Sequence, residues 1–251
     1  MKNKVAKVII PNKEDYENRI KKMIKEGSKK LHVISDFDRT MTKAFVDGEK
    51  TPSIIAILRQ EDVLGETYTK KAYTLAEKYR PIEDDPKVSI KEKKEKMHEW
   101  WKAHFDLLIK SDLNMSHIAR IAKSDKVQLR KYVDVVLNML HEREIPIIIF
   151  SASGLGSESI NEVLKAQGLT FDNIFNISNA FNWDDQGYAK SVNEPVIHSY
   201  NKDEGMINDF PEVADVVNDK KNIILMGDSL GDAGMAEGFS FDNLIKIGFL
   251  N

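Results

Sequence analysis

The sequence predicts an α/β fold, a parallel sheet covered by helices on both faces and interrupted after its first strand by a long helical insert. Three observations carry this. Short aliphatic runs end in polar residues at residues 31–34, 145–150 and 223–226. Each run is β-branched or aliphatic with little polar interruption, as strands buried on both faces require. About a hundred residues separate the first run from the second, far more than a plain crossover takes.

Taken in order, residues 16–24 predict a helix, because Ile20, Met23 and Ile24 recur at helical spacing among lysines. The first strand follows and leads into Ser35 and Asp36. The insert is rich in Lys, Glu, Leu and Ala and reads as several helices: one starting over 54–58 after Pro52, one over 67–79, and a long charged one over 90–109 that carries Trp100, Trp101, Phe105 and Leu108. Its lysine run at 91–96 is interleaved with Glu92 and Glu95, as on a solvated helix face. A helix over 127–140, with Val133, Val136, Leu137 and Leu140 on one face, returns the chain to the second strand and Ser151. The next helix, over 159–167, stops at Gly168. Further strands are expected at 174–177, 196–198 and 244–247, and the third aliphatic run leads into Gly227 and Asp228. The resulting division is a core of residues 1–45 and 125–251 and an insert of 46–124.

Composition narrows the function. The 251 residues are 41% hydrophobic and 31% charged, which excludes a mainly disordered chain. Lys and Arg number 37 against 40 Asp and Glu, so there is no overall basic field for a nucleic acid polymer. Cysteine is absent, which excludes disulfides, thiolate metal sites and cysteine nucleophiles. The N-terminus starts basic, but its apolar stretch is short and Pro11 and charged residues follow, unlike a signal peptide. No apolar run reaches the roughly 20 residues of a spanning helix. A cytoplasmic protein without membrane contact is expected; oligomeric state is not encoded in any pattern.

In parallel sheets ligands bind beyond the carboxyl ends of the strands, so the polar residues there are the candidates for chemistry. Asp36 and Asp38 stand two apart at the end of the first strand. Like charges placed so close raise each other's pKa unless a cation intervenes, and a hard divalent ion such as Mg²⁺ suits such a pair. One carboxylate can attack phosphorus while the other moves a proton. The same residues also fit a turn whose aspartates cap backbone groups. Asp228 and Asp232, in GDSLGD, can complete a metal shell or simply belong to a loop. Ser151 can hold a phosphoryl oxygen or cap a helix. Lys202 can neutralise charge shared by phosphate and nucleophile or lie at the surface. All four features occur together, each near an expected strand end, and that joint occurrence carries the argument.

The set resembles the haloacid dehalogenase superfamily, with a Rossmann-like core and a helical cap. Within it the sequence is similar to the cytosolic pyrimidine 5′-nucleotidases (the nucleotidase III group), from about Lys22 to Asn251. The segments that carry this are SDFDRTMT (35–42), KYRPIEDDP (78–86), HEWWKAHFDLL (98–108), PIIIFSASG (146–154), VIHSYNKDEG (196–205), NIILMGDSLGD (222–232) and NLIKIGFLN (243–251). The resemblance implies Asp36 as the nucleophile and Asp38 as the acid and base. It implies Mg²⁺ held by the Asp36 side chain, the Asp38 carbonyl and Asp228, with phosphoryl oxygens bound by Ser151 and Lys202. Asp232 would support the metal shell or orient Lys202, and Thr40 would fix the nucleophile loop by hydrogen bonding. In the cap, Glu99 would face the nucleoside, with Trp101 and His104 in the base and sugar region.

The sequence departs from that group at Arg39 and Met41, where it usually has Met and Leu, at Ser153 for Gly, and at EWW for EWY. Relatives also continue past the position of Asn251, so the strand near Ile245 is expected at an exposed or partner-covered sheet edge. The activity implied is Mg²⁺-dependent hydrolysis of nucleoside 5′-monophosphates, UMP or CMP, through an aspartyl phosphate, with a methylated purine nucleotide also open. A phosphatase for phosphoserine or a sugar phosphate is the alternative within enzymes. A phospho-receiver switch is the alternative outside them, but it would lack the acid and base at Asp38 and have no use for so large an insert.

Overall fold

The computed structural model describes residues 7–202, 209–237 and 239–251. The last three residues of the VIHSYNKDEG segment and the first six of the chain therefore lie outside the described residues. Asn12 accepts the Asp15 N–H (3.1 Å) to start helix α1 (Lys13–Glu26), and Gly27, at φ 80°, ends it. Strand β1 (Leu31–Ser35) follows. A small antiparallel pair, β2 (Phe45–Val46) and β3 (Glu49–Lys50), leads into four helices: α2 (Ile54–Gln60), α3 (Glu66–Asp84), α4 (Ile90–Lys110) and α5 (Met115–Ala122). Then come α6 (Val133–Glu142), β4 (Ile147–Ser151), α7 (Gly156–Ala166), β5 (Ile174–Ser178), a second antiparallel pair β6 (Phe181–Trp183) and β7 (Ala189–Val192), α8 (Pro211–Val217), β8 (Asn222–Gly227) and β9 (Asn243–Gly248).

Five strands form one sheet in the order β5-β4-β1-β8-β9, and every pair is parallel. Alternate residues of one strand feed opposite layers. Val33, Ile147 and Ile149 join a core that continues into α2, α3, α4 and α7, whereas Ile34, Ile148, Phe150, Ile223 and Leu225 pack with Val213 and Val217 of α8. Both faces are thus buried, as the unbroken aliphatic runs require. β9 lies at the sheet edge, and Arg19 of α1 reaches its Leu244 carbonyl (3.2 Å).

Two expected elements are corrected. Residues 196–198 are buried but form no strand. Asn179 stands in for a neighbouring strand: its Oδ1 accepts the Ile197 N–H (2.8 Å) and its Nδ2 donates to the Ile197 carbonyl (2.9 Å). Asn201 serves the adjoining groups, Val196 O and His198 N–H. An apolar run whose peptide groups are met by side chains looks like a strand in sequence. The helix expected over 127–140 starts only at Val133, because the preceding residues pair with the loop after β1. Lys43 N–H donates to Gln128 O and Arg130 N–H to Met41 O (both 2.8 Å). In the insert, α3 runs on past Pro81 to Asp84, which brings Glu83 to the cleft described next.

Candidate active site

The carboxyl ends of β1, β4 and β8 open into a cleft of about 280 Å³, roofed by α2, α3 and α4. At its floor the Asp36 N–H donates to Met226 O (3.0 Å), which fixes the end of β1 against β8. Lys202 Nζ donates to Asp36 Oδ1 (2.7 Å) and Asp232 Oδ1 (3.0 Å), and all three side chains are buried. Burial alone would lower the Lys202 pKa, but the two carboxylates outweigh it and hold the ammonium above the usual lysine range. Burial pushes Asp36 up, partly opposed by the Lys202 charge. Asp232 also feels burial, yet Lys202 and Ser229 bring it below its ordinary value.

Asp228, Asp36 and Asp232 bring carboxylate oxygens within 4.8 Å of one another. Such an all-oxygen cluster suits a hard divalent cation. Asp232 is already committed: its Oδ2 accepts the Asp228 and Ser229 N–H groups and the Ser229 hydroxyl (3.2, 3.0 and 2.8 Å), while Oδ1 accepts Lys202. That leaves Asp36 Oδ2 and Asp228 Oδ1 as the carboxylate oxygens open to an ion, since Lys202 takes only Asp36 Oδ1 and Asn251 only Asp228 Oδ2. Burial and the Asp232 charge raise Asp228, as expected of an acid awaiting a cation. Gly227 makes the approach possible, since a Cβ there would lie 2.5 Å from Asp232 Cβ.

Asp38 lines the same cleft but lies outside that carboxylate cluster. Burial and the neighbouring Asp36 push it up to about 7, although the Ile54 N–H at the start of α2 donates to it. A carboxyl group with that pKa can carry a proton at neutral pH and release it. The loop behind it is held by Thr42, whose Oγ1 accepts the Arg39 N–H (2.7 Å). The Thr40 hydroxyl, expected to do this, is buried without a hydrogen-bond partner among the described residues. Arg39 sits at φ 62°, and its carbonyl is gripped by Arg130. Arg130 also donates to Thr40 O (2.8 Å) and Asn251 Oδ1 (2.6 Å), and it stacks on the Phe249 ring. Asn251 in turn donates to Asp228 Oδ2 (3.2 Å).

Ser151, at the end of β4, lines the cleft beside Ala152. Ser153 bonds Ser159 Oγ (3.0 Å) and accepts the Leu155 N–H, so it organises the start of α7. Of the insert residues expected to face a nucleoside, Trp101 and His104 do line the cleft. His104 is tied to the Gly154 carbonyl (3.0 Å), and burial lowers its pKa to about 4, so it is neutral. Glu99 does not line the cleft. Its side chain is 49% exposed and pairs with Lys96 (2.8 Å) on the outer face of α4. Trp100 lines the cleft and stacks on Tyr79, 5.8 Å between rings.

Four further lining residues escaped the sequence reading: Arg59, Arg80, Glu83 and Ser199. Ser199 Oγ donates to Glu83 Oε1 (2.6 Å), and Tyr200 OH and Lys93 Nζ donate to Glu83 O (2.9 and 2.7 Å). These bonds latch the end of α3 onto the loop that carries Lys202. The KYRPIEDDP and VIHSYNKDEG segments were visible as motifs, but nothing in either pointed to the other.

A family model described as pyrimidine 5′-nucleotidase (UMPH-1) matches residues 39–251. The 7-methylguanosine phosphate-specific 5′-nucleotidase A of Xenopus laevis is 36% identical over 95% of this chain and 81% of its own length. The enzyme of that description from Homo sapiens is 34% identical, covering 90% of this chain and 75% of that protein. Among solved structures, cytosolic 5′-nucleotidase IIIB bound to cytidine superposes with a TM-score of 0.82 at 34% identity, over 94% of this chain and 78% of that one. A HAD family hydrolase from Salmonella enterica, at 15% identity and a TM-score of 0.52 over 84% of this chain and 60% of that one, shares the fold. On sequence match and architecture together, this chain belongs to the pyrimidine 5′-nucleotidase (UMPH-1) family, built on the haloacid dehalogenase fold.

Proposed function

We propose that the protein hydrolyses nucleoside 5′-monophosphates, pyrimidine ones among them, to nucleoside and phosphate through an aspartyl phosphate at Asp36, with Mg²⁺ as cofactor. The observation that carries this is Lys202 bridging Asp36 and Asp232 at the strand ends while Asp228 stands beside them with no cation paired to it among the described residues. In the first half-reaction an Asp36 oxygen bonds to phosphorus, the bond from phosphorus to O5′ breaks, and Asp38 gives its proton to O5′. In the second, Asp38 takes a proton from water, the water oxygen bonds to phosphorus, and the bond to Asp36 breaks. The Asp38 pKa of about 7 supports both transfers. Lys202 and Ser151 would bind phosphoryl oxygens, and Asp232 would hold Lys202 in place. A magnesium ion held by Asp36, Asp228 and the Asp38 carbonyl would neutralise charge on the phosphoryl group.

Residues 46–124 would act as a cap over a core of 1–45 and 125–251. The latch from Glu83 to Ser199 and the bond from His104 to Gly154 support a closed state that excludes water, and opening would admit substrate. Trp101 and His104 would face the sugar and base. A nucleotide ligand is supported by the cytidine bound to the nucleotidase IIIB neighbour and by the relatives' descriptions. Among the described residues no helix is long and apolar enough to cross a membrane. A cytosolic location is supported by relatives described as cytosolic nucleotidases.

The test is phosphate release from UMP and CMP, set against phosphoserine and sugar phosphates, by the wild type and Asp36→Asn. Many turnovers with a nucleotide, abolished in the variant, are expected. Full activity in Asp36→Asn removes the nucleophile, and a single turnover per chain would favour a receiver switch.

A further inference from the structure

On the cap side of the cleft two arginines, Arg59 and Arg80, stand against one carboxylate, Glu83, among the described lining residues. Arg59, in the last turn of α2, is only 9% exposed and lines the cleft. Its Nε is buried without a partner, and its guanidinium makes no hydrogen bond or ion pair with the described residues. The charge that acts on it is that of Arg80, which repels it; no carboxylate of the described residues does. A guanidinium is not buried unpaired without cost, and five fixed donors favour a planar set of acceptors. The other groups around it do not supply them. His104 is neutral and bonded to Gly154, and Glu83 has Oε1 occupied by Ser199. The third arginine of the cleft, Arg39, also has a buried Nε without a partner among the described residues, but unlike Arg59 its charge acts on two carboxylates, Asp38 and Asp228, at the reactive end.

We propose that Arg59, with Arg80 beside it, reads the edge of the base and sets substrate choice, favouring a neutral base that presents acceptors and rejecting a cationic one. The inference rests on the nucleotidase reading above. Uracil, cytosine and guanine all offer carbonyl oxygens, and guanine offers the O6 and N7 pair that a guanidinium grips with two bonds. Methylation at N7 removes one of those acceptors and leaves the ring positively charged. The relatives described as specific for 7-methylguanosine phosphate accept that cation. Arg59 and Arg80 oppose it here both by charge and by loss of the acceptor.

The experiment compares kcat/KM for GMP and 7-methyl-GMP, which differ by one methyl and one charge, with UMP and CMP alongside. It is run slightly below neutral pH, where the methylated base keeps its positive charge. Wild type is expected to favour GMP over 7-methyl-GMP by about tenfold or more, chiefly through KM. Arg59→Gln should shrink that ratio about tenfold, Arg59→Lys should retain most of the charge penalty, and Arg80→Gln should move the ratio the same way by less. Arg80 is exposed, so its variant and the wild-type ratio decide the matter even if Arg59→Gln fails to fold. A wild type that prefers 7-methyl-GMP, or a ratio unmoved by Arg59→Gln and Arg80→Gln, overturns the proposal while leaving the nucleotidase reading intact. Hydrolysis of no nucleotide, with turnover of another phosphomonoester, would instead remove that reading, and this inference with it.

Discussion

The two ends of the cleft are charged by different rules. At the reactive end opposite charges act on one another: Lys202 lies between Asp36 and Asp232, and Arg39 acts on Asp38 and Asp228. At the cap end, where Trp100 and Trp101 also line the cleft, Arg59 and Arg80 repel each other and no carboxylate of the described residues acts on Arg59. The first end is organised before substrate arrives, as chemistry that depends on positioning demands. The second leaves its electrostatics to be completed by what binds, which is how a site discriminates among ligands of one shape.

The largest effect that would break this comparison is loss of the nucleophile. Asp36→Asn should lower phosphate release from UMP by about a thousandfold or more, while the fold persists because Lys202 keeps Asp232. Exhaustive chelation should likewise bring release to background, with recovery on adding Mg²⁺. Retained activity in either case would mean that the paired charges at the strand ends serve structure alone.

Acid stability separates the two ends next. His32, near the start of β1 and bonded to Lys220 O, and His104, at the cap end of the cleft, are buried and both lowered to about 4 from the ordinary 6.5, mainly by burial. Between those values the unfolded chain binds protons that the folded chain refuses, so stability is fully present above 6.5 and declines as pH falls toward 4. Each histidine contributes about 3 kcal/mol to that decline. Asp38, raised to about 7, acts in the opposite sense across the same range, so the histidine share is read from urea unfolding as the difference between wild type and variant. His104→Gln should remove one share of the pH dependence and His32→Gln the other; variants with the wild-type pH dependence would mean that neither ring has its pKa lowered in the fold.

A smaller effect concerns how the nucleophile loop is held. Arg130→Met frees the Arg39 and Thr40 carbonyls and the Asn251 side chain. It should cost about 1–2 kcal/mol of stability and about tenfold in kcat. A loss in KM alone would place Arg130 in substrate binding instead.

The same contrast explains what could be read from the chain. Asp36, Asp38, Ser151, Asp228 and Asp232 follow buried aliphatic runs directly, so local sequence places them at one sheet edge. The cap end has no such rule. Helical spacing groups Trp101 with His104 on one face, but it cannot say that this face turns inward and that Glu99, two residues before Trp101, turns out to Lys96. Arg59 and Glu83 meet the cleft only through tertiary packing of α2 and α3, and α3 runs beyond its expected end at residue 79 to reach Glu83. Residues 196–198 misled for the opposite reason. Their apolar character is real, but the Asn179 side chain replaces the neighbouring strand. Gln128 and Arg130, paired with the loop after β1, took helix α6's expected first turns in the same way.

The most direct measurement is chemical trapping at Asp36 during turnover. Borohydride reduces an acyl phosphate to the alcohol, so quenching the enzyme with borohydride while it hydrolyses UMP should leave homoserine at position 36, seen by peptide mass spectrometry. The account predicts that product with substrate present and none without it. Continuous phosphate release with position 36 unmodified would contradict it.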